Sequence, residues 1–355
     1  MNDALKLGLD TFGDVTEAAD GTLLPQAQVI RNVVAEGVLA DQAGVDVFGV
    51  GEHHRADYAV SAPEVVLAAI AGQTTRIRLG TAVSVLSSDD PIRLYQRFST
   101  LDAASYGRAV VILGRGSFTE SFPLFGYALD DYEVLFEEKL DLFAALRRGG
   151  EVTWSGTVRP PLSSQAVYPP VEHGALRTWV GVGGSPQSVV RAARHGLPLM
   201  LAIIGGDPAR FCPHVELHRR ALAELGQVAQ PVGVHSPGHV AETDEQALEE
   251  LWPHHQRQHA KIGAERGWPP LRRADFEREA RSGSLYVGSP ETVARRIAST
   301  VRTLGLSRFD LKYSVNQLPH PALLRSIELY GTKVIPIVRD LLATARPLGG
   351  ALAAA

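Results

Sequence analysis

The chain has little of what would place it in several functional classes. It carries one cysteine, Cys212, in 355 residues, which excludes an internal disulfide and any cysteine cluster of metal-ligand spacing. A reducing, cytoplasmic address is expected. Excess charge of one sign is missing too, since 35 basic residues stand against 39 acidic ones for a net charge of −4. The basic residues are scattered, so neither nucleic acid nor an anionic membrane is an expected partner. Lysine is scarce, five in all, and only Lys312 falls at a strand end where a Schiff base would form, which argues against an aldolase-type barrel. The longest apolar run, residues 197–204, is too short to span a bilayer, and the opening Met-Asn-Asp-Ala-Leu-Lys has no export-signal pattern. There is no Gly-x-Ser-x-Gly nucleophile elbow, and no lysine follows the glycine-rich turn at 181–184, which excludes a P-loop.

What is present is ordinary soluble composition, 45% hydrophobic and 21% charged, with 34 glycines and 22 prolines. The turn formers suggest many short connections. The length allows two domains or one large barrel. Strand-like apolar runs at 5–9, 45–50, 77–85, 109–113, 178–182, 197–203, 232–240 and 309–314 alternate with helical patterns at 26–43, 62–73, 91–104, 132–146, 186–195, 208–225, 290–304 and 321–343. Eight strand–helix units in one direction predict a single (β/α)8 TIM barrel, an α/β fold, over 1–345. Its excess length lies in a Pro/Ser/Gly-rich cover at 151–175 and an insertion or lid at 241–285, helical at 245–262. Residues 346–355 read as a flexible tail.

A barrel builds its site on the loops after the strands. Gly51-Glu52-His53-His54-Arg55 follows the second strand and can move protons near neutral pH; a packed rim histidine satisfies the pattern equally. Small residues over 80–91 would let a flat ligand approach the backbone, as would an ordinary turn capped by Asp89 or Asp90. Arg115, between Gly114 and Gly116, offers an anion clamp or a structural ion pair. The 181–188 segment frees backbone amides at Gly181, Gly183 and Gly184, with Ser185 as helix cap, and suits one phosphate or a plain turn. His254, His255 and His259 fall in a polar stretch that reads as a solvated helix face rather than a metal site, and Cys212 as an inert residue at a polar helix start.

In this order, Glu52-His53-His54, the 80–91 stretch, Arg115-Gly116, the Ser185 turn with Gly196-Leu197-Pro198, and Val287-Gly288-Ser289-Pro290 resemble the bacterial luciferase-like flavin monooxygenase family over nearly the whole chain. The resemblance implies an enzyme that oxygenates a small organic substrate with dioxygen and reduced FMN supplied by a separate flavin reductase. A homodimer is the expected assembly. His53 matches the family's catalytic histidine and His54 its neighbour. Ala82 and Val83 match a cis peptide beneath the isoalloxazine. Arg115, Ser185 and Ser188 match phosphate contacts, with Gly183 and Gly184 beside them. Phe118 and residues 199–204 are expected as an apolar wall, and Gly114, Gly116, Gly181, Gly183 and Gly184 as bare backbone for the cofactor. Two departures stand out: Gly114 replaces the reactive cysteine of luciferases, so light emission is not implied, and Glu133 replaces a second phosphate-binding arginine. Within the same fold, hydride transfer with a deazaflavin and a non-catalytic flavin-binding subunit are the alternatives.

Overall fold

The computed structural model describes residues 5–18, 20–315 and 317–344; the 346–355 tail falls outside them. Among the described residues twelve strands occur: β1 (Lys6–Thr11), β2 (Val47–Val50), β3 (Arg78–Thr81), β4 (Ser84–Val85), β5 (Ala109–Gly114), β6 (Glu151–Trp154), β7 (Leu162–Ala166), β8 (Arg177–Val182), β9 (Leu199–Ala202), β10 (Val232–Val240), β11 (Tyr286–Gly288) and β12 (Arg308–Lys312). Eight of them close a parallel barrel in the order β1-β2-β3-β5-β8-β9-β10-β12, with β12 returning to β1. This is the expected (β/α)8 fold, with helices packed around it.

The helices start where the local chemistry dictates. Pro91–Ala104 begins on Asp90, whose Oδ1 accepts from the amides of Ile92 (2.9 Å) and Arg93 (3.0 Å). Pro186–Arg194 begins on Ser185 and Pro290–Leu304 on Ser289, each a polar cap followed by proline at the first helical turn. The predicted strand at 77–85 is two strands, because the Ala82–Val83 peptide bond is cis and breaks the run between β3 and β4. The predicted helix at 321–343 is likewise interrupted, by a π-turn at Tyr330–Val334 between His320–Leu329 and Ile335–Thr344.

The barrel sorts side chains by strand alternation. On β12, Phe309 and Leu311 join the hydrophobic layer beneath the helices, whereas Arg308, Asp310 and Lys312 are buried polar residues. The last two line the interior cavity. Residues 151–166 form the antiparallel β6–β7 hairpin, with Trp154 Nε1 donating to Asp141 at 2.9 Å. The expected lid contains two helices, Asp244–Arg266 and Arg273–Ser282, which share a small core around Leu251 and Phe276 with Val287 of β11.

Candidate active site

A cavity of about 550 Å³ opens at the C-terminal ends of the barrel strands, a size usual for small-molecule and cofactor sites. Of the residues singled out from sequence, His53, His54, Ala82, Val83, Arg115, Gly183 and Ser188 line it. Gly184 and Ser185 lie beside it. Gly184 O is within 2.8 Å of His214 Nε2, and Ser185 Oγ donates to Gln187 Oε1 at 2.9 Å while capping the helix. Phe118, Met200, Ala202 and Ile204 supply the expected apolar wall.

His53 stands in an aromatic box, with ring centroids 4.5 Å from Phe12, 4.4 Å from Tyr58 and 5.5 Å from Phe118. Burial, reinforced by the Lys312 charge, pushes it down to about 3, so the imidazole is neutral throughout the physiological range. Its Nδ1 is buried and has no hydrogen-bond partner among the described residues. His54 is held differently: its Nε2 lies 2.9 Å from Glu52 Oε1, while Glu52 Oε2 accepts from the amide of Val85 at 2.8 Å. Glu52 thus ties the histidine loop to the segment that follows the cis peptide.

The glycines around that segment line the cavity and also make room for neighbouring side chains. A methyl on Gly114 would collide with Val83 Cγ2, and one on Gly181 would come within 3.0 Å of Val83 Cγ1. Gly116 makes similar room for Val85, a Cβ there meeting Val85 Cγ1 at 2.8 Å. The bare backbone at these three positions accommodates valines. Gly183 differs, since nothing lies within 4 Å of a Cβ built on it.

At one end of the cavity two guanidinium groups share one carboxylate. Arg115 pairs with Glu133, and Arg191 Nη2 donates to the other Glu133 oxygen at 3.0 Å. Arg191 Nη1 also donates to Ser188 Oγ at 3.3 Å, and Glu137 receives Arg191 Nε. The Arg191 side chain is 9% exposed and Glu133 63%. Sequence reasoning overlooked Arg191, although its place one turn after Ser188 on the same helix was the available signal.

The opposite side is polar in a way the strand-end reading also overlooked. Asp10 Oδ2 accepts from His235 Nδ1 at 2.7 Å, Arg308 forks onto Asp310 at 2.9 and 2.6 Å, and Lys312 Nζ reaches the Asp14 carboxylate at 3.1 Å. Lys312 is therefore an ion-pair partner. The lid histidines are not the solvated face expected of them. His254 is buried, His255 and His259 line the cavity, and burial pushes His255 down to about 4. The described residues contain no cluster able to hold a metal ion, and no helix among them is long and apolar enough to cross a membrane. Cys212 is half-buried, its Sγ 3.8 Å from Thr303 O.

Several known proteins are similar to this chain. An uncharacterized protein, y4vJ, of Sinorhizobium fredii is 26% identical over 89% of this chain and 93% of its own length. The 4-hydroxyprotoasukamycin monooxygenase of Streptomyces nodosus is 27% identical over 83% of each chain. Among solved structures, monooxygenase RslO1 from Streptomyces bottropensis superposes with a TM-score of 0.80 at 22% identity, covering 94% of this chain and 99% of that one. The oxygenating constituent of 3,6-diketocamphane monooxygenase from Pseudomonas putida, in complex with FMN, gives 0.75 at 19%, covering 94% and 98%. The profile describing luciferase-like monooxygenases matches residues 11–308, and with that match the chain belongs to the luciferase-like monooxygenase family.

Proposed function

We propose that the chain is a flavin-dependent monooxygenase that binds reduced FMN, delivered by a separate reductase, and oxygenates a small organic substrate with dioxygen. The observation that carries this reading is the Arg115–Glu133–Arg191 bridge, in which two guanidinium groups hold an anionic place at one end of the cavity with Ser188 Oγ beside it. A terminal phosphate suits that donor set. The Glu133 carboxylate stands in for it and, largely solvent-exposed, is free to swing away. The FMN complex of the similarly folded Pseudomonas enzyme supports the choice of cofactor.

When bound, reduced FMN supplies the electrons that activate dioxygen. Arg115, Arg191 and Ser188 would hold its phosphate, and the Ala82–Val83 segment would meet its ring. His53, neutral and with a free Nδ1, accepts or donates a hydrogen bond at the cavity wall without adding charge. Phe118, Met200 and Ile204 keep water from the reacting atoms. His54, fixed by Glu52, holds the loop that carries His53. A homodimer and a cytoplasmic address complete the proposal.

Titration with oxidised and reduced FMN tests it, together with oxygen uptake when reduced FMN is supplied. Binding at micromolar concentration with oxygen consumption is expected. Absence of binding sinks the reading. Turnover under nitrogen with a reduced deazaflavin would reassign the chain to hydride transfer, and FMN binding without oxygen uptake would make it a non-catalytic flavin-binding subunit.

A further inference from the structure

We infer that Asp10 and His235 form a subsite, at the inner end of the cavity, for a hydroxyl group on an otherwise apolar substrate. The inference rests on reading the cavity as the substrate chamber. Asp10 is 0% exposed, and it lines the cavity together with His235. One carboxylate oxygen, Oδ2, is taken by His235 Nδ1 at 2.7 Å, and the other, Oδ1, is buried without a partner among the described residues. A buried carboxylate oxygen left unpaired is costly, so the site calls for a donor from outside the chain.

The neighbouring cations do not fill that need. Arg308 is committed through two hydrogen bonds to Asp310. Lys312, beside Asp10 in the β1–β12 register, is committed to Asp14 and Ser314. Its ammonium, 4.5 Å from the Phe12 ring centroid, also disfavours a second cation nearby. A neutral hydroxyl meets both conditions. Beyond those charges the dyad borders apolar surface: Phe12, whose ring stacks with His235 at 5.9 Å, and Ala202 and Met200, which run alongside His235 and Gly233 in the β9–β10 register and line the same cavity. The ligand that fits has a hydrocarbon body and one hydroxyl, a phenol or a cyclic alcohol.

Three para-substituted toluenes of nearly one shape separate the possibilities when titrated calorimetrically into the chain without flavin. p-Cresol has a hydroxyl donor, 4-methylanisole keeps the oxygen but lacks the donor, and p-xylene has neither. p-Cresol is expected to bind roughly tenfold or more tighter than the other two, the usual gain from a hydrogen bond to a charged group, and Asp10→Leu is expected to reverse the preference toward p-xylene. Equal binding of p-cresol and 4-methylanisole by the native chain overturns the inference even if Asp10→Leu fails to fold. A p-cresol preference that persists in a folded Asp10→Leu overturns it as well. Loss of FMN binding with the p-cresol preference intact would remove the flavin reading and leave the hydroxyl subsite standing.

Discussion

Strand β5 carries an arginine at each end, and the two are held in opposite ways. Arg108, just before the strand, is buried and donates five hydrogen bonds of 2.8–3.0 Å, to Ser105 O, Thr74 Oγ1, Ile77 O, Ala71 O and Thr74 O. All but one of these acceptors are backbone carbonyls, which have nowhere else to turn. Arg115, just after the strand, is 25% exposed and is paired with a surface glutamate. The lower end of the barrel is thus fixed by partners that cannot leave and the upper end by partners that can, which is the division of labour between stability and function in this architecture.

The largest expected effect breaks the lower arginine. Arg108→Ala orphans several buried carbonyls and should cost about 3 kcal/mol or more of folding stability, read from urea denaturation; a change below about 1 kcal/mol would show that the lower end is not fixed in this way. Next comes the upper end under acid. His53 binds a proton at about 6.5 when unfolded but only at about 3 when folded, so its contribution is full above pH 6.5 and is lost as pH falls toward 3. Between pH 6.5 and 5 the loss is about 2 kcal/mol, and His53→Phe should flatten that part of the stability profile.

Arg115→Ala should leave the melting temperature nearly unchanged while weakening FMN by about 2 kcal/mol. A fold that fails without Arg115 would erase the contrast with Arg108. The smallest effect belongs to the lid, where Lys261 pairs with Asp57 at the surface and Arg257 meets Glu17 at 2.8 Å. Lys261→Ala should shift stability by no more than about 0.5 kcal/mol, and protease cleavage of the lid should quicken as salt is added.

Much of this architecture was legible along the chain. Alternating apolar runs gave the eight strands, and the Asp90-Pro91, Ser185-Pro186 and Ser289-Pro290 junctions gave helix starts close to those observed. The site was legible in part, because His53 and Arg115 follow strands and Ser188 follows a capped turn. Asp10 and His235 were harder, since they lie within strands whose apolar neighbours mask them, and Lys312 was seen at its strand end but not as an ion-pair partner. Arg-Phe-Asp-Leu-Lys at 308–312 does carry the sign, a charge at every second position of a strand that has to be buried on both faces. The lid histidines show the opposite difficulty. Their polar helix resembles a surface, and only the way it folds across the barrel mouth brings His255 and His259 to the cavity.

Val83, lodged between Gly114 and Gly181, also constrains which sequences lie within one mutational step of this one. A side chain cannot be accommodated at position 114 while valine remains at 83. Gly114→Cys alone should be deleterious, and the same change after Val83→Ala or Val83→Gly should be tolerated. The three positions are therefore expected to be epistatic, so a library built to reshape this wall should vary 83, 114 and 181 together.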